Sequence, residues 1–270
     1  MTFDIGSYNS VIDQIEKLLK QVDDGRVSGV PNALNNAENL PYVRLVPPLL
    51  RACKLCAEKM IDLAKWVWDK VVDLLKGVIA PVYMYMRSQD WNDVRNTVTT
   101  IQSTIDPNNL EGNRQWKGAA QLSYLKTGTT QSQSAGKIGE IADKAKTALE
   151  ICAAASLVFY IAILNMIRQF LIALAAGIAA LATGVGAPAG LSDIAAASGV
   201  TAASVWAALA LLTPLLAAQG KALLDLEAAA SDNSTFPEGA NGVSQWPDPK
   251  TSTFNDASVD GDNESKWRLN

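Results

Sequence analysis

The chain has 270 residues, enough for one large domain or two small ones with a substantial core. Apolar residues make up 49% and charged residues 19% of the sequence, which argues against bulk disorder. The net charge of −4 offers no basic surplus for nucleic acid, and the absence of histidine excludes catalysis, metal ligation or pH switching by that residue. We therefore expect no nucleic-acid partner, and no residue spacing indicates an enzyme, a cofactor or a metal site.

Residues 1–46 are predicted to form an amphipathic helix followed by a connecting loop. From Ser7 to Val22 the apolar residues fall on one helical stripe: Val11, Ile12, Ile15, Leu18, Leu19 and Val22. From Gly25 to Val46, glycine, proline and asparagine predict the loop. The acidic start has no basic region ahead of an apolar core, so we expect no cleavable signal peptide.

Residues 47–150 are predicted to form a long antiparallel helical hairpin. Apolar residues of its first helix alternate four and three positions apart, a coiled-coil seam that needs a partner helix: Cys53, Ala57, Met60, Ala64, Val67, Val71, Leu74 and Val78. Pro81 predicts a kink in this helix. After the kink the same spacing resumes at Trp91, Val94, Val98, Ile101 and Ile105. Asp106-Pro107-Asn108-Asn109 predicts the hairpin turn.

The second helix of the hairpin is predicted from a further seam that begins after the turn. Its members are Ala135, Ile138, Ala142, Ala145, Leu149, Cys152, Ser156, Phe159, Ile163, Met166 and Phe170. If Ile105 faces Lys117 across the turn, the register places Cys53 opposite Gln169. The same register predicts that a buried Arg168 would have Glu58 as its ion-pair partner.

A tryptophan–glycine motif lies at the predicted turn. Trp116-Lys117-Gly118 is followed by Ala119-Ala120 and Tyr124, between two seamed helices. Over residues 48–150 this arrangement resembles the WXG family of helical-hairpin proteins of type VII (ESX-type) secretion systems. Glycine would let the backbone turn closely at Gly118, and Trp116 would cover the open end of the hairpin. The alternative is that Trp116 closes the hairpin end without any role in secretion.

The resemblance carries functional expectations. It implies a non-enzymatic protein that is exported without a cleavable signal, engages the secretion machinery, and pairs with a helical protein partner or self-associates. It also implies a Tyr-x-x-x-Asp/Glu export signal on this chain or its partner. This chain departs from that pattern, because no tyrosine has an acidic residue four positions later.

Residues 151–230 are predicted to form a hydrophobic helical hairpin. Ile151 to Ile167, Gln169 to Ala187 and Val200 to Gly220 are apolar on every side, and the last two approach the roughly 20 residues that cross a bilayer. A Gly/Pro break around Pro188 separates them. The predicted membrane or partner contacts are Arg168, Ala176, Ala180, Gly184 and Trp206, because small residues four apart permit close helix packing and arginine can snorkel. The alternative is a buried core or an oligomer seam.

Residues 231–270 are acidic and rich in Asp, Ser, Asn, Pro and Gly, which predicts a disordered tail with Trp246 and Trp267 as aromatic anchors. The expected fold class is all-α: a long antiparallel WXG-like hairpin, a hydrophobic hairpin and this tail. The expected function is a non-enzymatic, secretion-linked protein acting through protein–protein and membrane contact, either secreted or associated with the cell surface or membrane. The alternatives are a pore-forming or membrane-permeabilising effector and a resident integral membrane protein unconnected to secretion.

Overall fold

The chain is mostly helical, in agreement with the predicted all-α class. The computed structural model describes residues 3–110, 116–117, 119–186, 210, 213–214, 216–239, 242–248 and 268–269. The α-helices are α1 (Ile5–Asp24), α2 (Val30–Asn39), α3 (Pro41–Leu45), α4 (Pro47–Leu75), α5 (Ala80–Ile105), α6 (Ala119–Ala182) and α7 (residues 216–231). The chain divides into two compact units, one of Met1–Met84 with Ile151–Ala217 and one of Tyr85–Glu150 with Ala218–Asn270.

The first unit begins with the amphipathic helix that the sequence predicts. The side chain of Asp4 caps α1 by accepting a hydrogen bond from the Ser7 amide at 2.6 Å. One stripe of α1 is buried: Tyr8, Ile12, Ile15, Leu19 and Val22. The apolar period therefore located both the helix and its inner face.

The prediction of a loop over residues 25–46 is wrong. Gly25–Gly29 form a π-helical turn that leads into α2, and α3 follows before α4 begins. Pro31 and Pro41 each lie in the first turn of a helix, where a proline removes no hydrogen bond that the helix needs. The buried face of α2 consists of Val30, Ala33 and Ala37, which are spaced as a helix requires.

The predicted kink at Pro81 is a break between two helices. α4 ends at Leu75, turn residues follow, and α5 begins at Ala80 with Pro81 in its first turn. A proline at this position avoids the clash with the preceding carbonyl that it would cause inside a helix. Upstream of the break the predicted seam of α4 is buried from Cys53 to Val71, whereas its next member, Leu74, is exposed. The buried members are Cys53, Ala57, Met60, Ala64, Val67 and Val71.

The core of the first unit lies between α1, α4 and the second half of α6. The Tyr8 ring meets that of Tyr160 edge-to-face at 5.6 Å, and its hydroxyl donates to the carbonyl of Val78 at 2.7 Å. The Tyr160 hydroxyl donates to the Leu74 carbonyl at 3.0 Å. Burial, assisted by Tyr160, raises the pKa of Tyr8 well above its usual value. The two hydroxyls thus tie α1 and α6 to the end of α4 and to the turn that follows it.

Along α4, rising residue number meets falling residue number in α6 and in the turn that follows it. Cys53 Sγ lies 3.6 Å from the carbonyl oxygen of Gly184, and a Cβ added to Gly177 would lie 2.9 Å from Met60 Cε. The predicted register is therefore wrong, because Cys53 meets Gly184 and not Gln169. The predicted register also placed Ile105 opposite Lys117. In the second unit, however, Pro107 packs beside Gly128, so the residue that faces the end of α5 lies further along the chain than predicted.

The second unit contains α5, the first half of α6 and α7. α5 presents polar residues to α6: Arg95 pairs with Asp143 at 3.2 Å, and the Gln102 carbonyl accepts from the Ser132 hydroxyl at 3.3 Å. A Cβ added to Gly136 would lie 2.9 Å from Gln102 Nε2, so α6 approaches closely at its small residues. The predicted apolar seam of α5 is largely exposed, including Trp91, Val94 and Ile101.

Part of the acidic tail packs along α6 in the second unit, in contrast to the predicted disorder. Asp232 pairs with Lys137 at 2.8 Å, the Ser134 hydroxyl donates to the Thr235 carbonyl, and the Gln131 amide donates to the Pro247 carbonyl. The Lys137 ammonium and the Ser234 amide hold the pKa of Asp232 well below its usual range. Trp246 is partly exposed, whereas Trp267 lies outside the described residues.

Candidate functional site

The backbone of the tryptophan motif is placed directly before α6. Trp116–Lys117 form a two-residue strand, β1, that pairs antiparallel with β2 (Arg268–Leu269), with Trp116 opposite Leu269. Gly118, the second residue of the predicted turn motif, lies outside the described residues. Nothing in the sequence predicts the pairing with β2, because two residues carry no strand periodicity.

Arg168 lies on the exposed surface of the first unit. Its guanidinium donates to the side-chain oxygen of Gln14 on α1 at 2.5 Å. The expected partner, Glu58, belongs to the register that the structure overturns, and its side chain is exposed on α4. A solvated arginine needs no buried carboxylate, so the neutral partner on α1 is sufficient.

The predicted row of small residues, Ala176, Ala180 and Gly184, does not lie on a single exposed face. Ala176 is exposed, Ala180 is half-buried and Gly184 is buried, with a φ of 66° in the left-handed region. Gly184 follows the end of α6 at Ala182, and a Cβ there would overlap Val43 Cγ2 of α3. Only the Ala176 end of the row is accessible from outside. Trp206, the remaining predicted contact residue, lies outside the described residues.

The apolar half of α6 has two distinct sides within the first unit. The buried side repeats at intervals of three and four: Ala153, Leu157, Tyr160, Leu164, Ile167, Phe170, Leu174, Gly177 and Leu181. The exposed side combines polar and small residues with one large apolar side chain: Asn165, Arg168, Gln169, Ile172, Ala175, Ala176 and Ala179. The sequence suggested an apolar helix on every side, yet Asn165, Arg168 and Gln169 all lie on the exposed side.

Length and composition alone would allow one helix of the described chain to cross a membrane. The candidate span is Gln121–Ala182 of α6, and 39% of its most apolar window is buried. A core helix of a soluble protein meets the same criterion, so the span is weak evidence of a membrane location. The predicted second apolar arm, residues 200–220, falls largely outside the described residues.

The remaining reactive groups show no catalytic arrangement among the described residues. There, no three Cys, Asp or Glu side chains are grouped to hold a metal ion. Burial raises the pKa of the Cys53 thiol, which keeps it protonated and unreactive. Comparisons of the chain with models of protein families, with curated proteins and with solved structures found no match.

Proposed function

We propose that the chain is a non-enzymatic helical protein linked to type VII secretion that acts through protein–protein and membrane contacts. The observation that carries this proposal is the place of Trp116, between the end of α5 and the start of the long helix α6. Supporting it, partners in the second unit run in opposite order: Arg95 meets Asp143, and Gln102 meets Gly136. This order fits the helical hairpin of the WXG resemblance.

Export is the direct test of the secretion link. In a bacterium with an active type VII system, the full chain is expected in the culture medium, and deletion of the system's ATPase should retain it in the cells. Trp116→Ala should also reduce export, because the motif at the start of α6 would be lost. Amounts in cells and medium are compared by immunoblot, and Trp246→Ala, a partly exposed tryptophan elsewhere in the second unit, is the matched control.

Two outcomes of this assay contradict the proposal. Equal amounts in the medium with and without the ATPase would show that export does not use the system. Alkali-resistant membrane association from first synthesis, with no protein in the medium, would instead indicate a resident integral membrane protein.

A second candidate function, membrane permeabilisation, is favoured by the exposed side of α6. Ala176 and Ile172 lie on this side, within the span that could cross a bilayer. A chain that rearranged to insert α6 would bring these residues into contact with lipid. The secretion-linked proposal and this candidate are compatible, since an exported protein can insert later.

Replacement of Ala176 by aspartate is expected to abolish dye release from liposomes. A charge near the centre of a bilayer costs about 2.5–3.5 kcal/mol on insertion scales. Because Ala176 is exposed, the change should leave the water-soluble fold intact, which circular dichroism checks. Ala80→Asp introduces the same charge at an exposed position on α5 and should release dye as the unchanged protein does. Release that persists in Ala176→Asp would rule out insertion through this side of α6.

A further inference from the structure

Exposed apolar side chains gather where α3 meets the turn that follows α6. Leu45 is 81% and Val185 66% exposed, and Tyr42 and Val46 are also exposed. We call these four residues the α3 tip. Large apolar side chains exposed together commonly mark an interaction site, whereas scattered single ones need no explanation.

The α3 tip is held in place by contacts beneath it. The Tyr42 hydroxyl donates to the Thr183 carbonyl at 2.7 Å and so ties α3 to the turn after α6. Val43 is fully buried, and a Cβ on Gly184 would overlap it. Because Val43 points inward, Tyr42 and Leu45, three positions apart on α3, share the outer face. The exposure of the tip therefore follows from packing and does not require a loose segment.

The surroundings of the α3 tip are basic in a chain whose net charge is −4. Residues 39–57 contain Arg44, Arg51 and Lys54 and no acidic residue, and residues 169–186 contain no charged residue. Lys54 pairs with Glu38 at 3.4 Å. Within the described part of the chain, no carboxylate lies at ion-pair distance from Arg44 or Arg51.

We propose that the α3 tip docks onto an anionic lipid surface. Leu45, Val46 and Val185 enter the boundary between headgroups and acyl chains, while Arg44 and Arg51 face the lipid phosphates. Tyr42 suits the same boundary, because its ring is apolar and its hydroxyl polar. The inference rests on the membrane contact in the proposed function and names the surface that makes it.

The shape of the α3 tip favours lipid over a helical protein. A partner helix needs apolar residues repeated over several turns, but the tip comprises one short helix and one turn. A bilayer needs only a small apolar projection with positive charge beside it. The unpaired arginines supply that charge, and they are complementary to anionic headgroups.

Co-sedimentation of the full chain with vesicles tests this inference. One vesicle type is phosphatidylcholine alone, and the other contains phosphatidylcholine and phosphatidylglycerol. The double variant Arg44→Gln/Arg51→Gln should bind the anionic vesicles roughly 25-fold more weakly, at about fivefold for each charge removed near the surface. Its binding to neutral vesicles should not change. Leu45→Gln should weaken binding to both types, since it removes an apolar contact.

Leu55→Gln is the matched control for Leu45→Gln, because Leu55 is also exposed but lies on α4 outside the tip. Vesicle binding that is unchanged in all tip variants would overturn the proposal that the tip binds lipid. Membrane contact would then be made by another surface. If the unchanged chain bound neither vesicle type, the tip and the membrane part of the proposed function would both fail, and export would still be judged separately. Weaker self-association of Leu45→Gln on sedimentation, with unchanged vesicle binding, would identify a protein interface instead.

Discussion

Ile167→Ala is expected to lower the free energy of unfolding by about 2–5 kcal/mol, as for large buried side chains that leave a cavity. Ile167 is 0% exposed, on the buried side of α6 in the first unit. Ile172 stands on the same helix but is 71% exposed, so Ile172→Ala should change stability by no more than about 0.5 kcal/mol. Urea unfolding followed by circular dichroism, with linear extrapolation to water, measures both.

The two isoleucine variants compare identical side chains in opposite environments. A large difference would show that residues 151–182 bury one specific side in the absence of lipid, as their packing in the first unit requires. Equal and small effects would contradict the packing of this half of α6 against α1 and α4. A larger loss of stability in Ile172→Ala than in Ile167→Ala would reverse the assignment of the buried and exposed sides of α6.

The elements best predicted from the sequence were those with a long, regular apolar period. The stripe of α1 and the seam of α4 from Cys53 to Val71 are buried as their spacing required, because a helix repeats every 3.6 residues. Proline was less informative. The same residue can kink a helix or begin one, and the structure uses Pro31, Pro41 and Pro81 at helix starts.

The register and the partners of each face could not be obtained from the period alone. A seam shows that a helix has an apolar side, but not which element covers it. In the second unit α6 presents glycine and serine to α5, so Gln102 packs against Gly136, whereas Arg95 pairs with Asp143 at the surface. The seam residues Trp91, Val94 and Ile101 remain exposed. The docking of the tail beside Ser134 depends on backbone carbonyls, which no sequence pattern displays.

The candidate site, too, could be predicted only in part, because sequence spacing does not show which element covers each residue. Sequence spacing selected Ala176 and Gly184 as neighbours on a helix, but α6 ends between them and one lies outside while the other is buried. The α3 tip was missed because residues 25–46 were predicted as a loop. The sequence does carry a signal for the tip, namely a stretch around Arg44 that contains basic residues and no acidic ones. That stretch indicates a surface patch only once α3 is known to be helical.

Gly184→Ala is expected to destabilise the protein by about 2–5 kcal/mol. Its φ of 66° lies where an L-residue costs about 1–2 kcal/mol, and overpacking against Val43 adds about 1–3 kcal/mol. Gly77→Ala is the matched control in the same unit: its φ is not positive, and its nearest neighbour would be the Leu74 carbonyl oxygen at 3.8 Å. It should be neutral or stabilising by up to about 1 kcal/mol.

A double-mutant cycle separates the two causes of the Gly184 effect. Val43→Ala removes the side chain that the new Cβ would overlap, so the double variant should be less destabilised than the sum of the singles by about 1 kcal/mol. The backbone cost at positive φ would remain. Strict additivity in thermal or urea unfolding would assign the whole effect to the backbone and contradict the close contact with α3. Because the α3 tip rests on this contact, Gly184→Ala should also weaken binding to anionic vesicles, whereas Gly77→Ala should not.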